Sequence, residues 1–357
     1  MKNILKQTYA NKKVFLTGHT GFKGSWFLLA LNFLGAKVKG YSLSPNHDQP
    51  LFESLGGENF CDSVIADIMD IENLKKEILS FQPDFVFHFA AQALVRNSYE
   101  NPLETFNANS LGVANLLEVL RSLEKECAVI VITTDKVYEN DNRPGPYKEV
   151  DRLGGYDPYS ASKACAEIVL SSYRSSFFNP KYYNKHKKSV ATVRAGNVIG
   201  GGDMAKDRLM PDIVRSANSG TTLKLRNPSA IRPWQHVLEP LYGYLLLGLK
   251  MQEDPENFSD SFNFGPELSD CITVEDFVKI AFTHFGCGKY QFESVDEKLK
   301  ESQILKLDNN KAKNYLGWKP LLTAREAILK TVDWYKNSAS DPVNYTKQQI
   351  SSFFDLI

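Results

Sequence analysis

The run Lys13-Val14-Phe15-Leu16-Thr17 reads as a strand. It passes without a linker into Gly18-His19-Thr20-Gly21-Phe22-Lys23-Gly24 and then into an apolar helical stretch from Trp26 to Leu34. Strand, glycine turn and helix in this order constrain the fold more than any other feature of the chain. Glycines at 18, 21 and 24 permit a tight turn, a close backbone approach to a pyrophosphate, and close packing of helix on sheet. The helix that starts there presents free N–H groups to an anion. A glycine triplet alone also suits a plain turn; the strand before it and the helix after it favour a nucleotide.

The strand-helix rhythm continues. Ala36 to Leu43, Ser63 to Ile68, Phe85 to Gln92, Ala128 to Thr133 and Ser189 to Arg194 read as further strands with helical runs between them. Such alternation builds a doubly wound sheet. The 357 residues, 43% hydrophobic and 24% charged, suffice for a full core and about two domains. The 42 basic and 42 acidic side chains cancel, so no net charge draws the chain to nucleic acid or to an anionic membrane. An anionic ligand must therefore be held by a local site. Five scattered cysteines form neither a C-x-x-C nor a metal-ligand spacing with histidine, which reads as reduced, mostly buried thiols in a cytoplasmic protein without a metal centre. Met1 to Lys13 lacks the apolar core of a signal peptide, and no segment approaches the roughly 18 apolar residues that span a bilayer. The longest candidate, Pro240 to Leu249, is broken by Gly243 and Gly248 and reads as a buried helix.

Pro158-Tyr159-Ser160-Ala161-Ser162-Lys163 sets a phenol and an ammonium one helical turn apart on one face. A fixed lysine charge stabilises a phenolate and lowers the tyrosine pKa from about 10. The phenolate can then take a proton from an alcohol as hydride leaves the same carbon. That spacing is common on ordinary helix surfaces, so its weight comes from its company. With G-x-x-G-x-x-G at the start and Tyr-x-x-x-Lys here, the chain resembles the extended short-chain dehydrogenase/reductases, which act on nucleotide sugars. Further motifs follow the family's order: His88-Phe89-Ala90-Ala91 at a strand end, the asparagine-and-leucine helix from Asn107 to Glu118, Arg194 to Gly200 like R-x-x-N-V-x-G, Asn263-Phe264-Gly265, and Lys311 to Pro320. A final amphipathic helix reads from Thr323 to Lys336, and the resemblance covers about residues 10 to 336.

It implies an α/β fold: a Rossmann-type doubly wound parallel sheet over residues 1–195, rejoined by 236–265, with a smaller mixed α/β substrate-binding domain from 196–235 and 266–357. The site then lies in the cleft between them. The implied cofactor is NAD, held by Gly18, His19, Thr20, Gly21, Phe22, Lys23 and Gly24. Asp67 and Ile68 stand beside the adenine, Ala90 and Ala91 lie along the cofactor, and Tyr159 and Lys163 also touch it. Asp67 is equally placed to cap a helix near Asp70. His88 and Asn109 read as packed structural residues. On the substrate side the resemblance assigns Asn197 to the diphosphate, Arg208 to a substrate-side helix, Arg226 to the nucleoside and Arg232 to the phosphates, where a bidentate guanidinium is the strongest anchor. The helices carrying Asn109 and Tyr159 pack on their copies in the family, which implies a homodimer or a dimer of such dimers.

The strand Ala128 to Thr133 delivers Thr134-Asp135-Lys136 at its carboxyl end, where open α/β sheets place ligands. This resembles the nucleotide-sugar 4,6-dehydratases, and Thr-Asp-Lys resembles their CDP-glucose branch. The implied reaction converts CDP-glucose to its 4-keto-6-deoxy sugar. Tyr159, helped by Lys163 and oriented by Thr134, takes the 4-hydroxyl proton; Asp135 protonates the leaving 6-hydroxyl; Lys136 is the candidate base at C5. A dTDP- or GDP-linked hexose is the alternative substrate. A 4-epimerase, needing only Tyr159, Lys163 and Thr134, is the alternative reaction. A nucleotide-sensing protein without activity is a third reading, against which the intact quartet argues. Two details depart from the family pattern. The second strand ends in Tyr41-Ser42-Leu43 with neither an acid nor an arginine for the ribose, so this position does not choose between NAD and NADP and predicts a loosely held adenosine end. His19 and Lys23 are large for such a loop, and Lys23 either pairs with the pyrophosphate or points into water.

Overall fold

The computed structural model describes residues 1–45, 50–141, 143–293 and 305–357. Its centre is a sheet of seven strands: β1 (Lys13–Thr17), β2 (Lys37–Ser42), β3 (Asp62–Ile65), β4 (Phe85–His88), β5 (Cys127–Ile132), β6 (Lys188–Ala195) and β7 (Ser261–Phe264). They lie in the order β7-β6-β5-β4-β1-β2-β3, every pair parallel. This is the Rossmann-type doubly wound α/β fold. The order reverses between β1 and β4, and the crevice at that switch point is where such sheets bind ligands.

Side chains of a strand alternate between faces, and each face here has its own core. Val14 and Leu16 of β1 and Ile130 and Ile132 of β5 bury with the helices Phe22–Phe33 and Leu238–Glu253. Phe15, Val129 and Val131 bury on the other side with Ile71–Phe81, Gly112–Arg121 and Pro158–Ser176. Gly243 and Gly248 do not break the apolar helix. A Cβ at Gly243 would stand 2.3 Å from the Phe264 ring, so its absence lets the helix lie on the sheet.

After β6 the chain leaves the sheet. The helices Leu209–Ser219, Val274–Phe285 and Ala324–Asn337 close a third core around Trp234, with Ile213, Phe277 and Ile328 at its centre. Three short strand pairs join this region: Val198–Ile199 with Gln235–His236, Ile231–Arg232 with Ile272–Thr273, and Thr222–Leu225 with Lys289–Phe292. Asp207, just ahead of the first helix, has a left-handed φ of 61°.

Three expectations are corrected. The first long helix starts at Phe22, inside the glycine motif, because Gly21 stands at its N-cap and Lys23 and Gly24 carry helical bonds. The helix Ala324–Asn337 is not the last. Asp341 accepts from the Asn344 N–H, Pro342 takes the first turn, and Pro342–Phe354 follows. Its Phe354 ring packs 5.3 Å from Phe33. The five cysteines are free thiols, but only Cys127 is buried and Cys287 is exposed, because the others lie outside the sheet strands; no described helix is long and apolar enough to cross a membrane.

Candidate active site

The three glycines of the first turn serve different ends. Gly18 has φ +71°, and a Cβ on it would meet the Ala90 nitrogen at 2.6 Å. A Cβ on Gly24 would lie 2.0 Å from the Gly18 carbonyl oxygen. Both are required by the chain itself. Gly21 is not: its φ of −78° suits any residue, and an added Cβ meets nothing nearer than 3.5 Å. Its bare backbone at a helix N-terminus leaves room for a group from outside, as a pyrophosphate requires.

Around it, Thr20 reaches the end of β2, its hydroxyl 2.8 Å from Ser42 Oγ and 3.0 Å from the Leu43 carbonyl. The His19 ring lies across Gly40, where a Cβ would come within 2.5 Å of it, and bonds Ser63 Oγ at 2.8 Å. Burial lowers its pKa to about 4, so it is neutral. Phe22 is buried in the core. Lys23 does not run into water. It turns inward over the Tyr244 ring, and burial, then the charges of Lys163 and Arg208, lower its pKa to about 7. Asp67 accepts from the Met69 N–H at 2.9 Å, and the helix cap is Asp70, which accepts from Asn73. Ile68 packs under Gly112.

β4 ends at the same crevice. Thr17 Oγ1 bonds His88 Nδ1 at 2.8 Å and accepts from the Ala90 N–H at 3.2 Å; Ala91 follows. His88 is packed but only half satisfied, because Nε2 has no partner. Burial, then the Lys163 charge, holds its pKa near 3. Asn109, in a single π-helical turn, ties Gln92 to Ser162 with bonds of 2.8 to 3.0 Å and so joins two helices to the β4 end.

The centre lies at the end of β5. Thr134 is extended and opens the short turn Asp135–Val137. Its hydroxyl donates to Asp135 Oδ1 at 3.0 Å and, beside the Tyr159 phenol, helps to pull that phenol's pKa down. Asp135 is buried, and Oδ2 has no partner. Burial raises its pKa, against the pull of Lys136, Thr134, Arg232 and Lys23. Tyr159 and Lys163 are in place because Asp157 caps their helix, accepting from Ser160 at 2.9 Å, and Ser98 Oγ accepts from the Tyr159 N–H. The pair differs from the sequence expectation. Lys163 Nζ donates to the Ile132 carbonyl at 3.1 Å, and burial lowers its pKa to about 8. Burial raises Tyr159 to about 12; Thr134 and Arg208 pull it down, not Lys163.

On the opposite wall, Arg208 pairs with Asp203 at 2.9 Å and directs its charge at Tyr159. Arg232 directs its charge at Asp135. Arg226 turns to Asp207, 3.7 Å away, which also holds Arg96 at 2.6 Å. The Asn197 main chain accepts from Gln235, at the crossing out of β6. Sequence reasoning passed over Arg96, Tyr244 and Glu167. The last is a buried carboxylate one turn beyond Lys163, and an arginine in the apolar strand β6 was the available signal for it.

Residues 15–331 match the family model of GDP-mannose 4,6 dehydratase. The chain is 45% identical over 352 residues to the CDP-glucose 4,6-dehydratase of Salmonella typhimurium, covering 98% of both chains. It is 25% identical to the dTDP-glucose 4,6-dehydratase of Xanthomonas campestris, over 90% of this chain and 92% of that one. The fold matches a dTDP-glucose 4,6-dehydratase of Streptomyces venezuelae solved with NAD, at a TM-score of 0.79 and 22% identity, over 93% and 99% of the two chains. A UDP-glucose 4-epimerase of Stenotrophomonas maltophila with bound NAD gives 0.79 and 21%, over 92% and 99%. A switch-point crevice, a glycine left bare toward it and a phenol–hydroxyl–carboxyl cluster at the β5 end thus accompany a match over nearly the whole chain, and the chain belongs to the GDP-mannose 4,6 dehydratase family within the extended short-chain dehydrogenase/reductases.

Proposed function

We propose that the protein is a CDP-glucose 4,6-dehydratase, a hydro-lyase that makes CDP-4-keto-6-deoxyglucose in the cytoplasm. One observation carries the reading: the chain is 45% identical from end to end to an enzyme of that name, and Thr134-Asp135-Lys136 stands at its β5 end. The cofactor is NAD. The bare Gly21 turn fits its pyrophosphate, Asp67, Ile68, Ala90 and Ala91 line the way along β3 and β4, and the relatives solved with NAD share the fold. In this division residues 1–195 and 236–265 hold the cofactor, and the remainder holds the nucleotide sugar.

Bound NAD supplies a reversible hydride acceptor, and the positive charge of its oxidised ring favours the phenolate beside it. The side chains move the protons. Tyr159 Oη takes the 4-hydroxyl proton, with Thr134 Oγ1 fixing the oxygen between them. The ketone at C4 acidifies the C5 hydrogen, which Lys136 Nζ removes. Asp135, whose pKa burial raises, gives its proton to the 6-hydroxyl, which leaves as water. The hydride lost from C4 ends on C6 and the proton returns to C5, so the product is the substrate less one water. Arg208 and Arg232, with Asn197 and Arg226 beyond, hold the diphosphate and nucleoside.

The assembly is a homodimer. Leu103, Leu111 and Ile168, at 79%, 49% and 57% exposure, stand on adjoining helices that a second copy would cover. The test of function is CDP-glucose deuterated at C4. The expected product carries the deuterium at C6; deuterium in solvent, or retained at C4 of an epimer, rejects the dehydratase.

A further inference from the structure

The helix Pro158–Ser176 meets the end of β5 through three residues on one face, spaced four apart: Tyr159, Lys163 and Glu167. Each meets one of three consecutive residues, Ile132 to Thr134, where β5 ends. Tyr159 stands beside Thr134, whose hydroxyl pulls its pKa down, Lys163 donates to the Ile132 carbonyl, and Glu167 Oε1 accepts from Thr133 Oγ1 at 2.6 Å. The first two contacts involve the groups of the proton transfer. The third does not, yet it is the most firmly anchored. Glu167 is 3% exposed and takes both prongs of Arg194, Nε to Oε1 and Nη2 to Oε2, each at 2.9 Å. Thr192 Oγ1 adds a bond of 2.7 Å to Oε2. Arg194 in turn holds the Tyr138 hydroxyl at 2.9 Å, and Tyr138 donates to Asn263 of β7 at 2.7 Å. One carboxylate therefore fastens the helix to β5, β6, β7 and the turn after Lys136.

We propose that Glu167 is a positioning residue for proton transfer at Tyr159, setting through Thr133 where the helix face bearing Tyr159 and Lys163 stands against Thr134. The inference rests on the dehydrogenation step of the proposed function. A planar carboxylate gripped by a forked guanidinium has one orientation, so it fixes rotation of the helix about its axis. Tyr159 lies two turns away on the same face and follows that rotation. Thr133, directly before Thr134, carries the same constraint into the strand end.

The test uses the NAD-loaded enzyme and the pair Thr133→Val and Thr133→Ser, with Glu167→Gln as the stronger variant. Valine keeps the shape and removes the hydroxyl; serine keeps the hydroxyl. For T133V, kcat per folded enzyme is expected to fall about tenfold, with KM within about twofold of the wild type, since small misplacements of reacting groups are costly. A larger deuterium effect at C4 accompanies it, and T133S restores the wild-type values. Should T133V keep its kcat, or lose activity only in step with loss of folded protein, Glu167 is merely structural and the proposal fails. If E167Q does not fold, the threonine pair decides alone. All variants are compared on the nucleotide hexose that the wild type oxidises fastest. A preference for a hexose other than CDP-glucose thus refutes the substrate assignment and leaves this test standing.

Discussion

Replacing Gly21 by alanine separates the needs of the fold from those of the cofactor. The new methyl would meet nothing in the chain nearer than 3.5 Å, and φ of −78° is open to any residue. Alanine is a poorer N-cap than glycine by roughly 0.5–1 kcal/mol. It also restricts the unfolded chain, which recovers roughly 0.4–1 kcal/mol. The melting temperature should therefore stay within about 1 °C. Bound NAD is another matter. Losing one charge-assisted bond at the helix N-terminus costs roughly 1.5–3 kcal/mol, a rise in Kd of up to about 100-fold. At a concentration 100 times the wild-type Kd, NAD stabilises the wild type by about 2.7 kcal/mol and the variant by about 0.4. With an unfolding entropy of about 2.1 cal/mol/K per residue over 357 residues, these are shifts of about 3.6 °C and 0.5 °C. Thermal scans with and without NAD, joined to calorimetric titration, read both quantities. Gly24→Ala is the contrast: its Cβ stands 2.0 Å from the Gly18 oxygen, so melting should drop by several degrees with or without NAD. If Gly21→Ala keeps the full NAD-induced rise, no ligand backbone approaches there and the cofactor reading of the turn is refuted.

Lys136→Met should leave oxidation at C4 intact and block elimination, giving a lasting reduced-nicotinamide absorbance with little 6-deoxy product; near-normal turnover would remove Lys136 from the base role. Glu239, buried and accepting from the Leu321 and Leu322 N–H groups, has its pKa raised to about 8, first by burial. Its neutral form favours the fold below the unfolded value of about 4.5, and that stability is lost as pH rises to about 8. Glu239→Gln should therefore gain on the wild type in melting temperature across that window and hold a constant difference above it; a pH-independent difference contradicts the shift. If the proposed homodimer forms through this face, Ile168→Glu should give a monomer in light-scattering mass measurements, and an unchanged dimer mass places the interface elsewhere.

The path of the chain through the sheet was legible because each strand is a short apolar run closed by a turn, and because the glycine motif and Tyr159–Lys163 sit at strand and helix ends. What stayed hidden depends on three-dimensional register. Nothing in the spacing of Lys163 says that its ammonium meets the Ile132 carbonyl, or that burial outweighs it at Tyr159. Glu167 reads as one more surface acid until β6 brings Arg194 beneath it. Lys23 left two directions open, and only the packing of Tyr244 shows that it turns inward. The helix Pro342–Phe354 carries a weak apolar pattern, and its Asp-Pro start was the sign missed.

That last helix bears on how the protein is made. Phe33 and its neighbours in the first strand-helix unit are covered by Phe353 and Phe354, some 320 residues later. At roughly 5–20 residues per second, translation leaves this apolar surface bare for about 16–64 s after its own strand has emerged. Through most of its synthesis the nascent chain therefore shows an apolar surface of the kind a holding chaperone covers, and ribosome-bound intermediates stalled before residue 342 should be the aggregation-prone ones.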